Sequence, residues 1–134
     1  MAKLEVIEGI GPIYANKLRA AGVSSIESLL STGATPKGRR ELAAKTGIGD
    51  EYIMDWVNRA DMMRIRGIGE EYSDLLEKAG VDTVVELAQR RADNLHAKML
   101  QVNTQKKLVR RPPSQNMVAD WIRQAKSLPR AVSY

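Results

Sequence analysis

The feature that most constrains this chain is that it repeats itself. Ile7-Glu8-Gly9-Ile10-Gly11-Pro12-Ile13-Tyr14 returns 58 residues later as Ile65-Arg66-Gly67-Ile68-Gly69-Glu70-Glu71-Tyr72. At that offset Leu18 meets Leu76, Ala21-Gly22-Val23 meets Ala79-Gly80-Val81, Ile26 meets Val84, Leu29 meets Leu87 and Leu42 meets Leu100. Asp55-Trp56-Val57 then meets Asp120-Trp121-Ile122 at an offset of 65, so the second copy carries a seven-residue insertion between Asn103 and Ser114. A period of roughly sixty residues means two copies of one supersecondary unit, which bounds the fold before any local reading. The halves run 1–62 and 63–134, with the basic insertion near 104–113. Inside the first half, Thr46-Gly47-Ile48-Gly49-Asp50-Glu51-Tyr52 repeats the turn once more. Its counterpart, Arg111-Pro112-Pro113-Ser114-Gln115-Asn116-Met117, has lost both glycines.

Local signals predict an all-α fold. Gly11 followed by Pro12 opens a helix, because proline suits the first helical position. Leu18 and Ala21 continue an apolar stripe from Tyr14 at helical spacing. Gly22 and Gly80 fit the left-handed position just past a helix end. Ser24 or Ser25, and Asp82, are placed to cap helices near 25–32 and 83–91. Thr35-Pro36 and Asp93 open the next ones, near 36–46 and 94–102, and the last run near 50–60 and 115–127. The expected architecture is two similar five-helix halves, near 3–60 and 61–127. Thr104–Pro113 reads as a loop, which Pro112-Pro113 keeps from being helical. Trp56, Trp121 and the recurring Tyr14, Tyr52 and Tyr72 are expected to pack, with Ile10, Ile48 and Ile68 plugging the turns.

Two glycines flanking one aliphatic residue make a tight turn between helices, and Gly11 and Gly69 are expected to be the positions where a Cβ would crowd it. The following helix starts with unbonded N–H groups at the positive end of its dipole, which can hold a phosphate. Ile7-Glu8-Gly9-Ile10-Gly11-Pro12, with Ala15 and Leu18, resembles the helix-hairpin-helix motif of DNA-repair and replication proteins. Arg66-Gly67-Ile68-Gly69-Glu70-Glu71-Tyr72 through Ala79-Gly80-Val81-Asp82-Thr83 and Asn94-Leu95-His96-Ala97-Lys98 closely resembles a bacterial helix-hairpin-helix family known only as a domain of unknown function. The fold implied is two tandem helix-hairpin-helix pairs. The wider superfamily implies sequence-independent binding of nucleic-acid backbone; the family itself implies no activity. DNA-binding members often carry Lys or Arg two positions after the turn, where this chain has Ile13, Glu51 and Glu71. Carboxylates there repel phosphate. The first turn, Gly9-Ile10-Gly11 with Lys17 and Arg19 beyond it, is therefore the one expected to meet nucleic acid.

The charge points to a second surface. Residues 1–62 balance eight Lys/Arg with eight Asp/Glu, residues 63–88 hold three against six, and residues 89–134 hold ten against two. The net charge of +5 is thus a property of the last third. Lys106, Lys107, Arg110 and Arg111 converge beside the degenerate turn, and Arg123, Lys126 and Arg130 follow on or just beyond the last helix. Arg90, Arg91 and Lys98 are placed to extend the patch. The expected nucleic-acid-binding residues are Gly9, Ile10, Gly11, Lys17, Lys106, Lys107, Arg110, Arg111 and Arg123.

Catalysis is not expected. His96 is the only histidine and has no nucleophile or second ligand beside it; a surface or capping role is expected. Cysteine is absent, so no thiolate site forms. No catalytic residue, metal or cofactor is assigned. The chain has no apolar run that spans a bilayer and no signal-peptide core at its start, which reads as cytoplasmic with no membrane partner. Two functions stay open: sequence-independent binding of duplex DNA, or a protein-interaction module whose hairpins are purely structural and whose basic segment meets an acidic partner. Neither reading fixes the oligomeric state.

Overall fold

The computed structural model describes residues 2–134; Met1, with which the first half opens, lies outside them. The protein is all-α: among the described residues there are eight α-helices and no strand. A 3-10 turn at Leu4–Val6 precedes α1 (Pro12–Ala20), α2 (Ile26–Thr32), α3 (Pro36–Thr46) and α4 (Asp50–Met62). Then come α5 (Glu70–Lys78), α6 (Val84–Ala88), α7 (Ala92–Lys106) and α8 (Gln115–Ser127). Each half therefore carries four α-helices rather than the expected five. None of the described helices is long and apolar enough to cross a membrane.

The residues fall into two compact units, one running up to Asp61 and taking in Arg130–Tyr134, the other Met62–Pro129. The first unit buries Leu4, Ile7, Leu18, Leu29, Ile53 and Trp56. The second buries Leu75, Leu76, Leu87, Leu95, Met99, Val118 and Trp121 in one cluster. Each such side chain contributes about 1.5–3 kcal/mol. Ile10, Ile48 and Ile68 are all buried, as plugs of their turns should be. One repeat pairing fails. Leu42 is 2% exposed but Leu100 is 38% exposed, and Met99 takes the buried place. α6 is two residues shorter than α2, so the register slips before α7.

Helix starts follow local chemistry. Ser25 caps α2 in a reciprocal box with Ser28, Thr35 caps α3 and Ser114 caps α8. Thr83, not Asp82, caps α6, because its hydroxyl stands three residues before the Glu86 N–H it accepts. α7 opens two residues before Asn94, with Arg91 as N-cap; Asp93 lies inside the first turn instead of ahead of it. α7 also runs past the expected end. Thr104, Gln105 and Lys106 stay helical, since Pro112 is too far away to stop the helix. The loop begins at Lys107, which closes the helix in the left-handed region at φ 53°.

The glycines of the turns divide the work differently from expectation. Gly9 and Gly67 have φ of 94° and 97°. A Cβ on them would stand 3.3 Å from Trp56 Nε1 and 2.9 Å from Trp121 Nε1. Gly11 and Gly69 are the N-caps of α1 and α5, at φ −85° and −102°, and a Cβ there meets nothing within 4 Å. In the turns at 9–11 and 67–69 it is the first glycine that is required, because its φ is positive and a Cβ on it would crowd an indole. Tyr14 packs on Trp56 and Tyr72 on Trp121, each with ring centroids 5.2 Å apart.

The sequence repeat assigns the last five residues to the second half, but they pack with the first. Ser133 donates its N–H to the Ala34 carbonyl at 2.8 Å, and the Tyr134 hydroxyl donates to Asn58 Oδ1 at 2.8 Å. Val132 is 2% exposed. Val132→Asp should lower the stability of the first unit by about 1–3 kcal/mol, since it buries an unpaired carboxylate. A thermal melt of the full chain checks this, and an unchanged melt would mean the tail is not anchored.

Candidate nucleic-acid interface

Gly11 caps α1 without a side-chain acceptor, and Pro12 at the first helical position has no N–H to satisfy. The first-turn N–H groups of Ile13 and Tyr14 have no partner within the helix. Ile10 is buried and Ile13 is exposed. Lys17 is exposed one turn on. Arg19, the other cation expected there, is committed elsewhere. Its guanidinium donates to both oxygens of Glu5 at 2.8 and 2.9 Å and holds that carboxyl below its ordinary pKa. The other two turns are followed by Asp50 with Glu51 and by Glu70 with Glu71. These carboxylates suit the helix dipole and oppose a phosphate.

The basic segment is a fastened loop. Asn103 accepts the Val109 N–H at 2.9 Å and donates its amide to the Val109 carbonyl at 3.1 Å. Tyr72 donates its hydroxyl to the Arg111 carbonyl at 2.9 Å. His96 Nε2 lies 2.9 Å from the Pro113 carbonyl, so that nitrogen carries the proton. Val109 and Pro113 are buried between these ties. The backbone is held at three carbonyls while Lys106, Lys107, Arg110 and Arg111 all stand exposed. Among the described residues none of the four meets a carboxylate. The charge run is legible in the sequence. Its clamps are not: the recurrence of Tyr72 points to packing and His96 to a surface or capping role, yet both hold this loop.

Asn103→Ala should free the loop. Losing both side-chain bonds costs roughly 1–3 kcal/mol locally, which raises the population of the open loop about tenfold or more. Limited trypsin digestion at Lys107 and Arg110 should accelerate accordingly, with the global melt little changed. Parental cleavage rates would show that Asn103 is not a clamp.

Arg123 belongs elsewhere. It lies on α8 beside an open groove of about 530 Å³ in the second unit, with Arg90, Arg91 and Lys126 on the rim. The floor is apolar, from Ala92, Ala119 and Ile122. Asp93 pairs with Arg91 at 2.9 Å, and Asp120 pairs with Arg123. The expected patch is thus two places: the loop of Lys106, Lys107, Arg110 and Arg111, and this groove. Among the described residues no cluster of three His, Asp or Glu side chains offers a metal site.

A family model described as a domain of unknown function (DUF4332) matches residues 8–128. No curated protein and no solved structure matches the chain.

Proposed function

The chain belongs to the DUF4332 family, a domain of unknown function, and on that footing we propose that it is a non-catalytic module that binds nucleic-acid backbone, duplex DNA foremost. Each unit is read as a helix-hairpin-helix pair descended from one duplicated segment. The repeated turn, the paired positive φ at Gly9 and Gly67 and the paired indoles support this reading.

The observation that carries the function is the clamped loop. Four cations on a fixed backbone bind a phosphate ladder without first ordering the chain, so less of the electrostatic gain is spent on entropy. Lysines and arginines that neutralise phosphates release condensed counterions, and that release drives binding. The first turn adds the α1 N-terminus and Lys17. The turns followed by Glu51 and Glu71 take no part, nor does Arg123, which lines the groove rather than the loop. Contacts of this kind position a protein on a duplex without specifying bases.

Fluorescence anisotropy with a labelled random duplex, titrated from low to physiological salt, tests the reading. About 4–6 neutralised phosphates give a slope of log affinity against log salt of about −4 to −5. Binding absent even at low salt overturns it.

A further inference from the structure

The groove on the second unit has a counterpart in the first unit, and there the chain's own tail occupies one end of it, while Pro36, Asp50 and Met54 still line an open pocket of about 220 Å³. The chain after α8 runs extended between the α2–α3 turn and α4. Ser133 donates its N–H to Ala34 at 2.8 Å, and Arg39 donates to the Ser133 carbonyl at 2.8 Å. Tyr134 reaches Asn58 on α4, and Val132 is buried beside them. The chain's own tail thus acts as a peptide strand laid across the first unit.

The same elements frame the groove of the second unit. Ala34 sits between the C-cap of α2, Gly33, and the N-cap of α3, Thr35. Arg90 sits between the C-cap of α6, Gln89, and the N-cap of α7, Arg91. α4 and α8 are both 13 residues long and keep the offset of 65 throughout. Asn58 therefore corresponds to Arg123, and Asp61 to Lys126. What differs is the charge: a neutral and an acidic side chain in the first unit become two cations in the second, joined by Arg90 and Arg91.

We propose that this groove docks an extended acidic peptide segment of a partner protein. A backbone N–H of the segment meets the carbonyl of Arg90, as Ser133 meets Ala34. A small apolar side chain settles on Ala119 and Ile122. Flanking carboxylates meet Arg90, Arg123 and Lys126. A second copy's tail is the wrong occupant, because Arg130 would enter a groove lined by four cations and one carboxylate, Asp93. A phosphate backbone is also a poor fit. It offers no N–H to a turn carbonyl and gains nothing from an apolar floor. Asp93 already faces the N-terminus of α7, where it accepts from the Asn94 N–H at 2.8 Å. The inference rests on the repeat proposed above and not on nucleic-acid binding by the loop.

The test is fluorescence anisotropy on the full chain with four labelled probes. They are a short peptide with carboxylates flanking a valine–serine pair, the same peptide with lysines for the carboxylates, a peptide of residues 128–134, and random duplex. The acidic peptide should bind at least about tenfold tighter than either basic one. Arg123→Glu with Lys126→Glu should weaken the acidic peptide about tenfold or more and tighten the 128–134 peptide. Ala119→Trp, on an exposed position of α8, should block the acidic peptide with helical content unchanged. Equal binding of the acidic and lysine peptides overturns the proposal. So does tightest binding of the 128–134 peptide, which would make a second copy the occupant. Loss of duplex rather than peptide in the glutamate variant also overturns it, by making the groove a phosphate site. An unchanged melt of Val132→Asp would overturn the correspondence with the tail, whereas a failed acidic peptide overturns the docking site itself.

Discussion

Gly67→Val should lower the stability of the second unit by about 2–5 kcal/mol, and Gly69→Val by less than about 1 kcal/mol. The two glycines stand two residues apart in one turn, and a sequence pattern treats them alike. Their backbones do not. Gly67 has φ 97°, where a β-branched residue is strained by about 1–3 kcal/mol. Its new Cβ would also stand 2.9 Å from Trp121 Nε1, closer than packed atoms tolerate, so the indole must move within its core. Overpacking of that kind costs about 1–3 kcal/mol more. Gly69, at φ −102° and ψ −163°, is in extended backbone that valine accepts, with open space around its Cβ. In the first unit Gly9→Val should come between them, because the same φ strain applies but Trp56 Nε1 stands 3.3 Å away. A small helical unit holds only roughly 5–10 kcal/mol in total, so Gly67→Val brings it close to unfolding. Urea melts followed by tryptophan fluorescence separate the three variants. Equal losses at Gly67 and Gly69 would mean that the turn tolerates or rejects side chains as a whole.

What the sequence could say depends on how local the cause is. Ile10, Ile48 and Ile68 were legible as buried plugs because each stands between two turn glycines. Ser24 or Ser25, and Thr35, are legible as caps because a cap acts over three residues, and Ser25 and Thr35 are the ones used. The order of φ signs within Gly-Ile-Gly was not legible, since the motif reads the same in both directions. Nor was the crowding of the first glycine at 9 and 67, since the indole it meets arrives from 47 residues away in one unit and 54 in the other. The end of α7 was misplaced because Thr104, Gln105 and Lys106 carry no stop signal, and helix continues until a left-handed residue ends it at Lys107. The tail was assigned to the wrong unit because its single buried side chain, Val132, has no periodic neighbours. The cations were legible as a run by composition alone. Their partition between a clamped loop and a groove is tertiary: Asn103, Tyr72 and His96 fasten one set, while α8 turns Arg123 and Lys126 toward Arg90 and Arg91.

Replacing Lys106, Lys107, Arg110 and Arg111 together with glutamate should weaken duplex binding about a thousandfold at low salt. Each exposed cation–phosphate contact contributes up to about 1 kcal/mol, and its reversal adds repulsion on top of the loss. Four such changes total roughly 4 kcal/mol, which is three decades in affinity. Backbone binders of this kind start near 10⁻⁴–10⁻⁶ M, so the variant falls at or beyond the limit of measurement. The residual salt slope, carried by the first turn and Lys17, should shrink from about −4 to −5 toward about −1. The loss should be similar for every duplex, because none of these side chains is placed by a base. All four are exposed and their backbone is held by Asn103, Tyr72 and His96, so the fold and the melt should be retained. Glu71→Lys serves as the opposite control. It removes a carboxylate from the first turn of α5 and should leave binding equal or tighter. A glutamate-loop variant that binds like the parent would reduce the loop to a solubility device. Selective loss on some duplex sequences would instead mean that the loop reads bases.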